Sequence, residues 1–381
     1  MAIHIKIICT VICMKILILA PDVDFTKLSG GSMHHIGIAK ALSKMKNQVV
    51  VMGYGKDEIL KGNGFEIRTY SWIRNPVSKT GSKNKAAKID SILNEINPDV
   101  LYYRIEPFEA FGCYTKTKTP VVLEINYNFF TKHSTGFWTR FWLLRNFLLK
   151  RWLKKVFSIS KTMICVSDSV RRGFLRNNIS GNFKIVPNGV NLDEFSIRKK
   201  IRNQIIFVGN CSKQQGVDSL AEASEILENE KTAHEILVIG GEGLDSCKSD
   251  SIVFTGDLSR HETIKTLCES EIGVAPYKEE KEPYGYSPIK IFEYMAAGLA
   301  VIASNTEWNR EIIKDGENGL LFEAGNSYDL AEKIKMIMEN EKLKRRLQKN
   351  ARKGAVEFYN WNRAARQIVE ICKEAIDNCG I

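Results

Sequence analysis

The sequence predicts an α/β protein of two domains, each built around a parallel sheet. Short apolar runs typical of strands alternate with helical patterns along the whole chain, which favours repeated strand–helix–strand units. A length of 381 residues is sufficient for two domains of ordinary size. The predicted strands are, in chain order, Ile16–Leu19, Gln48–Met52, Val100–Tyr103, Val121–Ile125, Met163–Val166, Lys184–Val186, Gln204–Val208, Glu235–Ile239, Ile252–Phe254, Ile272–Ala275 and Ala300–Ala303.

The first strand is expected to begin near Met14. The segment Met14–Pro21 has the continuous apolar character of a strand buried in a parallel sheet. Lys15 splits the apolar N-terminal run below the roughly 18 residues that a membrane span needs. Residues 1–13 are therefore predicted to be an N-terminal extension, and a signal peptide or membrane anchor is the alternative.

A domain boundary is predicted between Ser196 and Asn203, because a polar run there precedes a new apolar strand. This boundary gives a first domain at 14–198 and a second domain at 199–356. The last stretch of the chain, 357–381, is predicted to be helical.

Composition narrows the class of protein without choosing a function. The chain is 44% hydrophobic and 26% charged, which is ordinary for a globular protein, and its net charge is +11. A basic excess favours anionic partners such as nucleotide diphosphates, anionic lipid surfaces or nucleic acid. Nine cysteines stand singly, without a C-x-x-C pair. This spacing argues against a zinc site and a disulfide framework, and fits a reducing cytosol.

The most informative stretch is GYSPIKIFEYMAAG, at 285–298. Its turn places backbone N–H groups and a helix N-terminus where they favour an anion such as a phosphate. Lys290 adds a cation, and Glu293 adds an acceptor suited to ribose hydroxyls. The pattern predicts a nucleotide-sugar pocket, and an ordinary capped amphipathic helix is the alternative. The predicted binding residues of the turn are Gly285, Tyr286, Ser287, Pro288 and Ile289.

This stretch resembles the donor-binding motif of retaining glycosyltransferases of family 4, which have the two-Rossmann-domain GT-B fold. The family usually carries two Glu residues, the second of which opens the phrase E-(A/Y)-M-A-x-G. Glu293 matches that second residue, whereas Gly285 stands where the first is expected. The motif resembles that of a branch of the family with the sequence SPxKxFEYMA. The resemblance covers nearly the whole chain. It implies parallel sheets that face a deep interdomain cleft, and a C-terminal helix at 357–381 that packs back on the first domain.

The stretch SGGSMHH, at 29–35, is similar to the family's GG-x-x-x-H loop, which borders the donor diphosphate and the acceptor. Gly30 and Gly31 are expected to adopt positive φ and let the backbone approach a ligand. A helix is expected to start near Met33 and to point its N–H groups at that ligand. His35 matches the family histidine, and a histidine packed beneath the loop is the alternative.

Polar residues follow two strands of the first domain, where open parallel sheets carry ligand contacts. Many family members place a sugar-contacting His after the strand that ends in LEIN, but this chain has none there. We expect Glu124 and Asn126 to hydrogen-bond the sugar or the acceptor. Arg104 is expected to be a further cleft contact, with an interdomain salt bridge as the alternative.

Three further stretches match family segments. VPNGVNLDEF, at 186–195, matches a structural turn and places Asn188 near the hinge. FVGNCSKQQGVDSL, at 207–220, resembles the segment whose Arg and Lys clamp the diphosphate. Asn210 and Gln215 replace them here, and we expect Lys290 to restore one positive charge. TGDLSRHE, at 255–262, resembles the loop that lines the nucleobase pocket, and it contributes Gly256, Asp257 and Leu258.

The segment 137–157 is basic, aromatic and free of acids. A helix here would gather apolar residues on one side and most bases on the other, which is typical of helices that lie on an anionic membrane. A domain helix with a solvated basic face is the alternative. Nucleic acid is not expected as a partner, since no recognition fold accompanies the charge. The apolar residues of that side are Trp138, Phe141, Trp142, Leu148, Leu149, Trp152 and Leu153.

Taken together, the residues and the resemblance predict an enzyme that transfers a sugar from a nucleotide-diphosphate sugar to a glycan or lipid-linked glycan. The resemblance implies retention of configuration, no metal and no cofactor other than the donor. Lys290, Glu293, Asn126 and Glu124 are the catalytic candidates. We expect a cytoplasmic protein, peripheral to the inner face of the cell membrane, that serves cell-surface polysaccharide synthesis. The alternatives are a non-catalytic nucleotide-sugar-binding protein, suggested by the missing charges, and a nucleotide-sugar epimerase.

Overall fold

A computed structural model describes residues 13–379, apart from 28, 63, 72–78, 110, 131–138, 242, 244–246, 248 and 279–286. Cys13 is thus the only part of the predicted N-terminal extension that can be placed. Gly285 and Tyr286, predicted to bind the donor, lie outside the described residues, as does Trp138.

The described residues form fourteen strands and eleven α-helices. The strands are β1 Lys15–Asp24, β2 Gln48–Tyr54, β3 Glu58–Gly62, β4 Phe65–Tyr70, β5 Val100–Arg104, β6 Val121–Ile125, β7 Thr162–Cys165, β8 Phe183–Ile185, β9 Gln204–Val208, β10 Glu235–Ile239, β11 Ile252–Gly256, β12 Ile272–Ala275, β13 Ala300–Ser304 and β14 Leu320–Phe322. The helices are α1 Gly30–Lys44, α2 Lys79–Ile96, α3 Phe111–Tyr114, α4 Thr139–Phe157, α5 Asp168–Arg176, α6 Val217–Asn229, α7 Arg260–Glu269, α8 Ile289–Ala296, α9 Ser327–Glu339, α10 Glu341–Glu357 and α11 Trp361–Asp377.

These strands form two sheets, the first with eight strands in the order β3-β4-β2-β1-β5-β6-β7-β8 and the second with six in the order β11-β10-β9-β12-β13-β14. The pair β3–β4 is antiparallel, whereas β1 pairs in parallel with both β2 and β5. In the second sheet β9 pairs in parallel with β10 and β12. The predicted α/β class with two mostly parallel sheets is confirmed.

The second sheet is buried on both faces. Ile206 packs into a core cluster with Phe292 and Val301, whereas its neighbours Ile205 and Phe207 pack into the cluster on the other face. Successive side chains of a strand point to opposite faces. A strand with helices on both sides must therefore be apolar at every position, which is why β9 reads as an unbroken apolar run.

All eleven predicted strands are present, with β1, β7 and β8 each starting one residue earlier than expected. The strands missed were β3, β4 and β14. Every residue of β3 is exposed, so no buried apolar run marks it, and β14 has only three residues. The predicted C-terminal helix corresponds to α11.

The predicted glycine loop at 29–35 is wrong in its local structure. Helix α1 begins at Gly30 rather than near Met33, and neither Gly30 nor Gly31 has a positive φ. The reason is a capping box at Ser29. Its side chain accepts a hydrogen bond from the backbone N–H of Ser32, and the Ser32 side chain accepts one from the backbone N–H of Ser29. The two glycines thus form the first turn of the helix.

The chain divides into two compact units. One comprises residues 1–123, 154–162 and 369–381, and the other comprises 124–153 and 163–368. The segments around Lys290 and Glu293 described below belong to the second unit. Domain boundaries at 198 and 356 stay a prediction.

Candidate functional site

Helix α8 carries the two residues on which the sequence prediction rests. It follows Pro288, whose side chain cannot accept a hydrogen bond, so the N-cap residue does not cap the first N–H groups of the helix. Proline suits the start of a helix because its fixed φ is already helical. Lys290 and Glu293 are three positions apart and share one side of the helix. The first N–H groups of α8 and the Lys290 ammonium therefore lie at the same end of the helix.

The Lys290 ammonium is enclosed by polar and aromatic groups. Its Nζ donates to Gln215 Oε1 at 2.6 Å and lies 4.1 Å from the ring centre of Phe207 and 5.1 Å from that of Tyr277. Burial lowers the pKa of Lys290 from 10.5 to about 7, with Glu293 acting in the opposite direction. Among the described residues no carboxylate forms an ion pair with Lys290, and a bound diphosphate would supply an anion there.

The end of strand β9 is shaped around that ammonium. A Cβ at Gly209 would lie 2.8 Å from Lys290 Nζ, and Gly209 has a φ of +142°. Only glycine tolerates both conditions. The next residue, Asn210, is exposed and accepts a hydrogen bond from the Ser212 backbone N–H at 3.2 Å. The structure thus brings Lys290 to Gln215, the position where a cation was expected from the family pattern.

Glu293 lies deeper, with 6% of its surface exposed. Its Oε1 accepts from Arg260 Nη1 at 2.5 Å. The same guanidinium donates to Glu194 Oε2 through Nη2 at 2.9 Å and Nε at 3.2 Å. Burial raises the pKa of Glu293, and Arg260 counteracts that rise. Arg260, through its charge and its hydrogen bond, and Lys290, through its charge, are the cations that favour the ionised form of this buried carboxyl.

Arg260 was missed by the sequence prediction. It is the first residue of α7 and lies within the stretch 255–262 that was assigned to the nucleobase pocket, where only Gly256, Asp257 and Leu258 were predicted to bind. The basic side chain of Arg260 within this stretch was the signal in the sequence that could have identified it as a site residue. In the same loop Asp257 is exposed and Leu258 packs partly buried against the core cluster of Phe292. Gly256 ends β11, and its carbonyl accepts from the Gly240 N–H at 2.9 Å.

Three residues of the first unit that were predicted to bind a ligand contact neighbouring residues of the chain. A Cβ at Gly31 would lie 3.3 Å from Arg104 Nη1, so this glycine makes room for Arg104 rather than for a turn. Arg104 donates to Glu106 Oε1 from Nε at 2.9 Å and from Nη2 at 2.8 Å. His35 is fully buried, with Nδ1 2.7 Å from the Gly31 carbonyl oxygen. Roles for these residues in binding stay predictions.

The end of strand β6 offers a polar group to a ligand. Glu124 is buried near the strand end, with 1% exposure. Asn126 follows the strand, and its Nδ2 is buried without a hydrogen-bond partner among the described residues. An orphaned buried amide is costly, so this group calls for a partner that the described residues do not supply.

Helix α4 has two apolar faces rather than the single one predicted. Leu149, Trp152 and Leu153 are buried, whereas Leu148, which was expected beside them, is 47% exposed. The side chains of Phe141 and Trp142 lie outside the described residues. Three more large apolar side chains are exposed on the helix, Leu143 at 67%, Leu144 at 57% and Phe147 at 56%.

The exposed face of α4 is apolar at its start and basic at its end. Arg151 and Lys154 are exposed within two turns of Phe147, and the Arg151 guanidinium lies 5.8 Å from the Phe147 ring centre. Arg145 is turned inward and donates to the Phe129 carbonyl at 3.2 Å. Across the described part of the chain, no helix has both the length and the apolar character needed to cross a bilayer.

Two mostly parallel sheets, with a buried cation and carboxylate on one helix of the second, are the features of a GT-B protein. Two family sequence models match the chain. One, described as Glycosyltransferase Family 4, matches residues 28–194, and the other, described as Glycosyl transferases group 1, matches residues 191–354. The chain belongs to the family 4 glycosyltransferases, as the resemblance implied.

Curated relatives include transferases with lipid-linked acceptors. The chain is 25% identical to an N,N'-diacetylbacillosaminyl-diphospho-undecaprenol alpha-1,3-N-acetylgalactosaminyltransferase of Campylobacter jejuni, over 93% of this chain and 99% of that protein. It is 26% identical to a phosphatidyl-myo-inositol mannosyltransferase of Mycobacterium leprae, over 59% of this chain and 61% of that protein. The chain thus spans less than two thirds of the mycobacterial relative.

Solved structures share the fold. A sucrose-phosphate synthase of Thermosynechococcus elongatus superimposes with a TM-score of 0.75 at 16% identity, over 95% of this chain and 99% of the other. Anabaena HepE, solved in complex with UDP-glucose, superimposes with a TM-score of 0.73 at 16% identity, over 95% of this chain and all of the other. At this level of identity the likeness concerns the fold alone.

Proposed function

We propose that this protein transfers a sugar from a nucleotide-diphosphate sugar to a lipid-linked glycan, with retention of configuration and without a metal. One observation carries the proposal. The Lys290 ammonium and the uncapped start of α8 lie at one end of the helix, and the buried Glu293 carboxylate lies one turn further on. A diphosphate fits the first end and ribose hydroxyls fit the second.

In this proposal the protein stabilises the departing diphosphate. When the bond between the sugar and the diphosphate breaks, its electron pair and negative charge stay on the leaving oxygen. Lys290 and the first N–H groups of α8 are already oriented toward that charge, which is how electrostatic catalysis lowers a barrier. The Asn126 amide, without a partner in the described structure, is suited to a sugar or acceptor hydroxyl.

The acceptor class follows from two independent features. The name of the Campylobacter relative specifies a diphospho-undecaprenol substrate. In this chain the exposed apolar and basic face of α4 suits the boundary of an anionic bilayer, where apolar side chains enter and Arg or Lys meet headgroups. We therefore propose peripheral attachment to the inner face of the cell membrane and a role in cell-surface glycan synthesis.

The first experiment combines binding and turnover. Thermal shift and calorimetry with a panel of nucleotide sugars would identify the donor, since a ligand of the native state raises the unfolding temperature. The identified donor is then incubated with short-chain polyprenyl-diphosphate saccharides. We expect a new sugar on the lipid, with the anomeric configuration of the donor retained when the product is examined by NMR.

Three controls separate transfer from its alternatives. Glu293→Gln, which keeps the side-chain shape, should lose donor binding. A new nucleotide sugar formed without an acceptor would instead indicate an epimerase. Donor binding without turnover on any acceptor would indicate a non-catalytic binding protein. Absence of a shift with every nucleotide and nucleotide sugar would refute the donor site itself.

A further inference from the structure

The segment 186–195 reaches the turn before α8. The backbone N–H of Asn188 donates to Ser287 Oγ at 3.0 Å, and its side-chain Nδ2 donates to the Ser287 carbonyl at 2.7 Å. Asn188 is 8% exposed and Ser287 is 7% exposed. Two hydrogen bonds protected from water therefore join residues that are 99 positions apart in the chain.

The same segment reaches the other end of the site through Arg260. Glu194 accepts two hydrogen bonds from the Arg260 guanidinium, whose remaining Nη1 holds Glu293. Asn191 Nδ2 donates to Glu194 Oε1 at 3.0 Å, so the Glu194 carboxylate is itself oriented. Glu293 thus takes its position from a chain of contacts that starts in the segment 186–195.

The segment 186–195 is itself held in place by backbone hydrogen bonds to residues 359–361. The Val190 N–H donates to the Tyr359 carbonyl at 3.1 Å, and the Trp361 N–H donates to the Val190 carbonyl at 3.2 Å. A Cβ at Gly189 would lie 2.5 Å from the carbonyl carbon of Asn360, so the two backbones are in close contact. The segment predicted to be only a structural turn is therefore anchored on one side and bonded to the donor site on the other.

We propose that this segment positions both ends of the donor site: Asn188 holds the diphosphate turn, and Glu194 aligns Arg260, which orients Glu293. The inference rests on the proposed use of α8 as the donor site. Asn188, Glu194 and Arg260 are positioning residues, because they act through Ser287 and Glu293. Burial raises the pKa of Glu293 and Arg260 opposes this, which agrees with the arrangement.

The two ends are tested with different probes. The nucleoside diphosphate that binds best is compared with its free nucleoside by calorimetry. Asn188→Ala should weaken the diphosphate roughly five- to tenfold, the value of one or two hydrogen bonds, and leave the nucleoside unchanged. Arg260→Met should weaken both about tenfold, since Glu293 contacts the nucleoside part. Weaker nucleoside binding in Asn188→Ala would instead indicate a general structural defect and contradict the proposed role of Asn188.

A pH profile separates the charge role of Arg260 from packing. The ratio of variant to wild-type affinity removes contributions common to both proteins. Arg260→Met removes a cation that lowers the pKa of Glu293, so its affinity relative to the wild type should fall as the pH is lowered. Glu194→Gln removes a negative charge that raises the pKa of Glu293. The loss of affinity of this variant on acidification should therefore move to lower pH, opposite to the shift in Arg260→Met. Arg260→Lys should restore most of the wild-type profile.

Controls keep the outcome decisive. Arg198→Met breaks an exposed pair with Glu269 and should change neither probe. If Asn188→Ala fails to fold, Asn188→Asp keeps the shape but removes the donor to the Ser287 carbonyl. Wild-type behaviour of Asn188→Ala and Arg260→Met, with loss of binding in Glu293→Gln and Lys290→Met, would overturn this inference and leave the donor site standing. Wild-type behaviour of all four would overturn the proposed function as well.

Discussion

Helices α8 and α4 both combine apolar and basic residues, but they differ in which of these side chains are buried and which are exposed. In α8, residues 291–296 are all buried, Glu293 included, and the Lys290 ammonium lies among aromatic rings. In α4, large apolar side chains are exposed beside exposed bases. One helix holds charge where water is scarce, and the other holds apolar surface where water is abundant.

Each arrangement costs free energy in the free protein, and each loses that cost on binding a particular partner. A buried cation is relieved by an anion, and an exposed apolar patch is relieved by an apolar phase. The comparison therefore agrees with the proposal that α8 meets the diphosphate of a donor and that α4 meets an anionic bilayer.

The largest effect is expected at the buried lysine. Lys290→Met should weaken nucleoside diphosphate binding roughly 10- to 100-fold, since a charge-assisted contact in a partly buried site is lost. Isothermal titration calorimetry measures the change. Lys335→Met, which breaks an exposed pair with Glu230, is the matched control and should bind normally. Unchanged binding by Lys290→Met would remove the assignment of α8 to the diphosphate.

A somewhat smaller effect is expected at the exposed apolar face. The double variant Leu143→Gln/Phe147→Gln should lower binding to vesicles of phosphatidylcholine and phosphatidylglycerol roughly tenfold or more, because about 1 kcal/mol or more of apolar transfer is lost at each position. Vesicle co-sedimentation measures the partitioning. The donor affinity should stay the same, because neither side chain belongs to the donor site.

The control for the apolar face comes from strand β3. Ile59 and Leu60 are also exposed, at 56% and 51%, but lie on another element. Ile59→Gln/Leu60→Gln should leave vesicle binding unchanged. Equal losses in both double variants would mean that α4 has no special role. Omission of phosphatidylglycerol, or added salt, should weaken wild-type binding through Arg151 and Lys154.

The smallest effect is a pH dependence of donor affinity. In the protein without ligand the pKa of Lys290 is lowered to about 7. A bound diphosphate should raise this pKa, so that binding above pH 7 is accompanied by proton uptake at Lys290. Affinity for a nucleotide sugar should then fall roughly fivefold between about pH 7 and pH 8. Calorimetry in buffers of different ionisation enthalpy should show this uptake in the wild type and not in Lys290→Met.

The same shift has a consequence for stability, and its sign is opposite to that of a lysine whose pKa is raised by an ion pair. The unfolded chain keeps the Lys290 proton up to about its usual pKa of 10.5, whereas the folded chain loses it near 7. Between these values the unfolded state binds more protons, so this group makes the free energy of unfolding rise with pH. Lys290→Met should flatten that part of the profile in chemical denaturation.

Local pattern was sufficient for most of the secondary structure. All eleven predicted strands are present. For central strands such as β1 and β9 the reason is that a strand buried on both faces is largely apolar, and such a run is visible without knowledge of its neighbours. The hydrogen bond between Lys290 and Gln215 was not predicted as such. The sequence predicted only that both residues serve the diphosphate, because Gln215 replaces a family cation and Lys290 was expected to restore the charge. The exposed strand β3 carries no such local signal and was missed.

The amino-acid sequence by itself determined the strand order along the chain, the start of α8 and the identity of the charged residues in the site. The tertiary structure decided which groups meet: Arg260 lies 33 positions from Glu293 and 66 from Glu194, yet bonds both. It also decided that α4 exposes Leu148 rather than burying it. The physical reason is that helical periodicity describes one element, whereas burial and hydrogen bonding depend on what other elements pack against it.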